Sequence, residues 1–189
     1  MATLSRLGTG IIATYALGLG AAQAQEAEPS AFALSVTYKA DVASVLSGGR
    51  EGGVFLDNLD VEFDADLSRA LRWSGATAHV HLLNNSGAAP NDRAGTLQGI
   101  DNIEVARQRG RVFEAWLQQA FADGRASIRA GLYDLNSEFY SDDAAGLLLA
   151  PAFGIGSELA ATGPNGPSIF PSTALAIRGE WRPREDLTL

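Results

Sequence analysis

The chain's two histidines stand two residues apart, as His79-x-His81. On an extended strand both imidazoles point to one side, which is the beginning of a metal pair. A metal site needs further ligands and an ordered outer shell, and the sequence supplies neither. The pair is therefore read as polar residues near a strand end, and no metal is expected. A second group is the carboxylate run Asp57, Asp60, Glu62, Asp64 and Asp66. Glycosidases use two carboxylates roughly 5–9.5 Å apart, but residues two apart on any strand face lie at a comparable spacing. The run is read as a solvated face rather than an acid pair. A third group carries more information. Glu114, Trp116 and Gln118 share one face of a segment, Arg129 and Tyr133 share a face of the next, and Arg178 joins from a later one. Charged and amide groups bond sugar hydroxyls, and an aromatic ring stacks on the apolar C–H face of a sugar. Arg and Glu on facing walls give a transverse field that suits polar, uncharged solutes over simple ions. Trp116 could instead face lipid in an aromatic girdle; its mid-strand position favours the passage. No catalytic residue and no cofactor are expected.

These groups need elements to hold them, and the dominant period is two. Phe32, Leu34, Val36, Tyr38, Ala40 and Val42 oppose Ala33, Ser35, Thr37, Lys39 and Asp41. Phe55, Leu59, Val61, Phe63, Ala65 and Leu67 oppose Asn58, Asp60, Glu62, Asp64 and Asp66, with Asp57 interrupting the apolar side. That alternation predicts strands. Four more follow. Ala76, Ala78, Val80 and Leu82 oppose Thr77, His79 and His81. Phe113, Ala115, Leu117 and Phe121 oppose Glu114, Trp116 and Gln118, less cleanly. Ala126, Ile128, Ala130 and Leu132 oppose Ser127, Arg129 and Tyr133. Leu175, Ile177 and Trp181 oppose Arg178, Glu180 and Arg182. A seventh strand is expected to start at Leu187. No stretch after the leader shows a helical apolar stripe. Several strands run to about ten residues, near the 9–11 or so that a tilted membrane-spanning strand needs.

The connections alternate in length. Ser68–Ser74, Asp123-Gly124 and Pro183–Asp186 are short, whereas Asn84–Gly110 and Asp134–Ser172 are long. Short turns at one end and long loops at the other is the layout of an outer-membrane barrel. Loops beyond about 15 residues are uncommon in compact soluble domains, which weighs against the alternative, a secreted β-sandwich that binds or hydrolyses glycans. A complete eight-stranded barrel is a third reading, disfavoured by the odd strand count. The loop 134–172 could fold inward as a constriction or lie outside as a flap. Its "GIG" and "GPNGP" words open no predicted helix, so they do not make a nucleotide site.

Composition is consistent with this. The chain has 189 residues, no cysteine, and 14 Lys+Arg against 22 Asp+Glu for a net charge of −8. The acidic balance argues against a nucleic-acid partner, and the lack of cysteine excludes thiolate catalysis and cysteine-based clusters. Arg6, the apolar run from Leu7 to about Ala21 and the Ala22-Gln23-Ala24 cleavage word read as an export signal. Residues 1–24 are thus expected to be a signal peptide, and 25–189 the N-terminal part of a barrel domain.

Several stretches carry a resemblance. They are "VFLDNLDVEFDADL" at 54–67, "WSGATAHVHLLNNSG" at 73–87, "LQGIDNIE" at 97–104, "FEAWLQQAF" at 113–121, "DGRASIRAGLYDLNSEF" at 123–139, "GIG" at 154–156 and "GPNGPSIFP" at 163–171. In this order they resemble the carbohydrate-selective porin (OprB) family of Gram-negative outer membranes. The resemblance implies an antiparallel barrel of about 16 strands that lets sugars, monosaccharides such as glucose, diffuse passively across the outer membrane. It leaves room for a homo-oligomer of the full-length parent. The six strands here, with the start of a seventh, are an incomplete barrel, so the chain is expected to be the N-terminal part of a truncated or fragmentary member. Open sheet edges in hydrocarbon cost several kcal/mol per unsatisfied group, so this polypeptide alone is not expected to form a working pore.

Overall fold

The computed structural model describes residues 30–189 except 108, 143 and 165, together with the backbone of Ile12–Ala16. The export signal expected over 1–24 lies outside the described residues apart from that short backbone stretch. Seven strands form one sheet: β1 (Ile12–Ala16), β2 (Phe32–Val45), β3 (Gly52–Asp66), β4 (Ala76–Gly87), β5 (Gly110–Phe121), β6 (Ala126–Tyr133) and β7 (Ala174–Trp181). Each pairs antiparallel with its neighbour in sequence, in the order β1 to β7. Among the described residues the sheet does not close on itself. No helix among the described residues is long and apolar enough to cross a membrane.

Register fixes the faces. Leu34 opposes Phe63 and Val36 opposes Val61, and these in turn oppose Val80 and Leu82. Further along, Leu117 opposes Ala130, which opposes Ile177. This apolar face is the exposed one: Leu34 is 69% exposed, Phe55 49% and Ile177 80%. The polar face is the buried one, with Asn58 at 2% and Asp60 at 6%. A soluble two-layer fold has the opposite arrangement, because its apolar face is what the second sheet covers. No second sheet packs there among the described residues, which sets aside the β-sandwich. The open seven-stranded order likewise sets aside the complete eight-stranded barrel. Asp57, an acid on the apolar face, is bonded by neighbours from both flanking strands: Tyr38 Oη donates to it at 3.0 Å, and Ser86 Oγ donates to its other oxygen.

The connections divide by end. At one end β3 runs into a short helix, α1 (Leu67–Leu71), whose N-terminus is capped by Asp66 accepting from the amides of Ser68 and Arg69; such a cap is worth about 1 kcal/mol. A one-turn 3-10 segment at Ala122–Gly124 joins β5 to β6. At the other end lie residues 88–109, with α2 (Asn91–Ala94), and residues 134–173, with α3 (Ser157–Ala160). Both long loops fold over the polar face. Ile103 and Val105 are buried, and the Ile103 carbonyl accepts from Asn85 Nδ2 at 3.4 Å. Arg111 Nη1 on β5 donates to the Pro171 carbonyl at 2.6 Å, tying strand to loop, and Asn102 Nδ2 donates to the Leu148 carbonyl at 3.2 Å, tying loop to loop.

Several local expectations are corrected. A β-bulge in β5 opposite His81–Leu82 turns Phe113 inward, beside Glu114 rather than opposite it. β4 continues through Asn84-Asn85-Ser86 to Gly87, so His79 and His81 lie mid-strand and not near its end. Leu187 makes an antiparallel bridge with Arg184, and Leu189 exchanges both backbone hydrogen bonds with Trp181, pairing against the end of β7. The "GIG" word at 154–156 does precede a helix, α3, but it is four residues long, too short to support an anion site.

Candidate functional site: the polar wall

Alternation on β3 to β7 sends every expected site residue to the same face, and register brings them into two groups. The first is built on β3, β4 and β5. Asp64 Oδ1 lies 2.8 Å from His79 Nδ1, and Asp60 Oδ1 lies 2.9 Å from His81 Nε2. His79 Nε2 is 3.9 Å from Glu114 Oε2. Asp60 also accepts from Asn58 Nδ2 at 2.6 Å, and Asn58 Oδ1 accepts from Asn85 Nδ2 at 2.7 Å, so an amide ladder runs across the wall under the first long loop. Lys39 Nζ approaches Asp60 at 3.7 Å. Asp57, Asp60, Asp64 and Asp66 of β3 thus have separate partners. They form no acid pair flanking a cleft.

The second group is built on β5, β6 and β7. Arg129 donates to Gln118 Oε1 through Nε and Nη2 at 3.1 and 2.9 Å, and its Nη1 lies 2.9 Å from Glu138 Oε1. Arg178 donates to Glu138 through Nε at 2.7 Å and through Nη2, and to Ser127 Oγ through Nη1 at 2.8 Å. Glu138 comes from the 134–173 loop, which therefore folds inward at this point and bridges two guanidinium groups. Burial raises the Glu138 carboxyl's affinity for its proton, but the Arg178 hydrogen bonds, with Tyr133 and the Arg129 charge, outweigh burial and hold it below its ordinary range.

Trp116 joins the two groups. Its ring stacks on His79 at 5.0 Å between centroids, and the Arg129 guanidinium carbon sits 3.9 Å above the ring centroid. The indole therefore faces inward, and its Nε1 has no protein partner. Tyr133 adds a second ring 5.2 Å from Arg129. Phe113, turned in by the bulge, meets His81 edge-on at 5.1 Å and Phe170 of the long loop at 6.1 Å. A cavity of about 650 Å³ lies between the two long loops, lined in part by Asn102, Asp134, Asn136, Tyr140, Phe153 and Phe170. Asp134 is pushed up to about 6 by burial, opposed by the Asn136 amide and aided by the charge of Glu114.

All eight residues singled out from sequence lie on this wall. An acidic and imidazole half faces an arginine half, with stacked rings between them, and the outward face is apolar. Residues 50–189 match the family described as carbohydrate-selective porin, OprB family. The chain belongs to that family. Among solved structures, the chain is similar to the high-pH structure of Pseudomonas putida OprB, at 21% identity and a TM-score of 0.70; the match covers 82% of this chain and 38% of that one. The chain thus spans well under half of that protein's length, and the likeness shows the shared fold. None of the curated proteins matches it.

Sequence reading missed Glu138, Phe113, Phe170, Asn58 and Asn85. Glu138 stood inside the quoted word at 123–139, and Asp134 ahead of it supplies the local signal: its carboxylate accepts from the Asn136 amide at 2.9 Å, starting the turn that delivers Glu138. The loop's fold-back onto Arg129 has no sequence signature of its own.

Proposed function

We propose that this chain forms one wall of a sugar-conducting porin that passes monosaccharides such as glucose by passive diffusion. The wall, β2 to β7, is part of a closed barrel in the outer membrane of a Gram-negative bacterium, with residues 1–24, β1 among them, serving as the export signal. The observation that carries the reading is the Trp116 platform between His79 and the Arg129–Glu138–Arg178 clamp, on the polar side of a sheet whose apolar side is exposed. The indole, sandwiched between His79 and Arg129, holds the guanidinium in place, and a sugar passing this wall presents its hydroxyls to Arg129, Gln118 and Arg178. The guanidinium groups are already bridged by Glu138, so the wall offers neutral solutes directed hydrogen bonds without a large net charge. Passage requires weak binding: a millimolar site holds its solute by only about 4 kcal/mol. No bond is made or broken, and no catalytic role is assigned to any residue.

The test is a glucose titration of Trp116 fluorescence in the Trp73→Phe/Trp181→Phe variant, with the chain reconstituted in outer-membrane lipid. We expect a saturable change with a millimolar midpoint, weakened about tenfold, or ~1.4 kcal/mol, by Arg129→Gln. An indole signal indifferent to glucose at every concentration would contradict the proposal.

A further inference from the structure

We propose that His79, His81 and Glu114 bind one divalent transition-metal ion of the zinc class on the inner wall. One ligand atom from each of the three lies within 4.8 Å of the other two, and all three side chains are nearly buried, with His79 at 8% and Glu114 at 7% exposure. Each is held from behind. Asp64 sits on His79 Nδ1 at 2.8 Å, which places the proton there and leaves the lone pair on Nε2, facing Glu114 Oε2. Asp60 sits on His81 Nε2 at 2.9 Å, leaving the ring's other nitrogen to coordinate. The Asp134 amide donates to Glu114 Oε1 at 3.0 Å, leaving Oε2. Carboxylate–imidazole–metal relays of this kind orient ligands and raise their basicity.

The rings are further fixed by packing. His79 stacks on Trp116, and His81 meets Phe113 edge-on. Ligand atoms around a tetrahedral zinc lie roughly 3.3 Å apart when the metal–nitrogen distance is about 2.0–2.1 Å, so binding draws the side chains together by about an ångström. Two imidazoles with one carboxylate suit zinc or cobalt rather than calcium or magnesium, which prefer all-oxygen shells. The remaining coordination position falls to solvent. The ion's charge is met by Asp60 and Asp64, which lie directly behind the ligands.

Both histidines of the chain lie in this site, so histidine chemistry on the untagged protein reads the site alone. The experiment titrates cobalt(II), then zinc, into the full chain in detergent or lipid after chelator treatment. In parallel it follows modification of the histidines by diethylpyrocarbonate. We expect one cobalt per chain with a visible ligand-field spectrum, displaced by zinc, and slowed histidine modification when zinc is present. Asp64→Asn should weaken binding about 10–100-fold, and Glu114→Gln should abolish the cobalt spectrum. The proposal is overturned if no cobalt binds, or if zinc leaves the wild-type modification rate unchanged. Binding that survives Glu114→Gln and His81→Ala together would also overturn it. The modification assay needs no variant, so a misfolded mutant cannot obscure the result. None of these readouts depends on sugar, so a failure here leaves the porin reading standing.

Discussion

Trp116 depends on the glycine opposite it. Gly131 sits across β5–β6 from Trp116 with φ +146°, and a Cβ there would lie 2.2 Å from the Ala115 carbonyl oxygen and 2.6 Å from Trp116 Cα. The empty side-chain position lets the indole lie against β6 between His79 and Arg129. Gly131→Ala should destabilise the protein by about 1–3 kcal/mol, the usual cost of overpacking. It should also shift the Trp116 emission, measured in the variant lacking the other two tryptophans; an unaltered spectrum would show that the ring's place does not depend on Gly131. Asp101 is a second residue-scale case. It is 2% exposed, accepts from the Ile103 amide at 3.0 Å and lies near Asp41. Burial pushes it up to about 6; the Ile103 amide opposes this, and the Asp41 charge adds to it. The folded chain therefore holds a proton that the unfolded chain, with a value near 3.8, releases. Stability from this group is full below that lower value and is lost as pH rises through about 6. Asp101→Asn should accordingly raise the melting temperature at pH 8 and change it little near pH 4. An equal shift at both pH values would argue against a buried proton.

At the scale of elements, β3 shows the design most plainly. Asn58 and Asp60 are buried while Phe55 and Phe63 are exposed, on one 15-residue strand. A cation on the outward side must then sit in hydrocarbon. Val61→Arg should cost about 2–4 kcal/mol in urea unfolding from phospholipid vesicles, falling toward zero near the interfaces, whereas Glu62→Arg on the inward side should cost less than about 1 kcal/mol. A similar cost at the two positions would mean that the faces are not distinguished. β2, β6 and β7 were legible in the sequence because their apolar side alternates without a break, and β3 because Asp57 is the one interruption in its fifteen residues. β5 was only half legible: its bulge adds one residue opposite His81–Leu82, and from that point the apolar Phe113 belongs to the inner side. The end of β4 was hidden because Asn84, Asn85 and Ser86 are polar on both faces, so nothing in their pattern distinguishes strand from loop. The site was legible as a set of residue types on one face. Their partners were not, because the Glu138 bridge and the Asn58–Asn85 ladder exist only through cross-strand register and loop fold-back.

The whole molecule is an open sheet whose two faces are reversed relative to a soluble protein. The long loops collect at one end, and both reach the polar face, through Ile103 and Asn85 on one side and through Glu138 and Phe170 on the other. In lipid, backbone groups at an unpaired edge have no water to satisfy them, so the sheet needs neighbouring strands before it can enclose water. The central claim, that apolar residues face lipid and polar residues line the passage, can be tested on one strand. The chain contains no cysteine, so each introduced thiol reports a single position. Single-cysteine variants at 61, 62, 63 and 64, reconstituted in outer-membrane lipid, would be exposed to a water-soluble thiol reagent and to a lipid-phase fluorescence quencher. The account predicts labelling at 62 and 64 and quenching at 61 and 63. The reverse alternation, or labelling at all four positions, would contradict it.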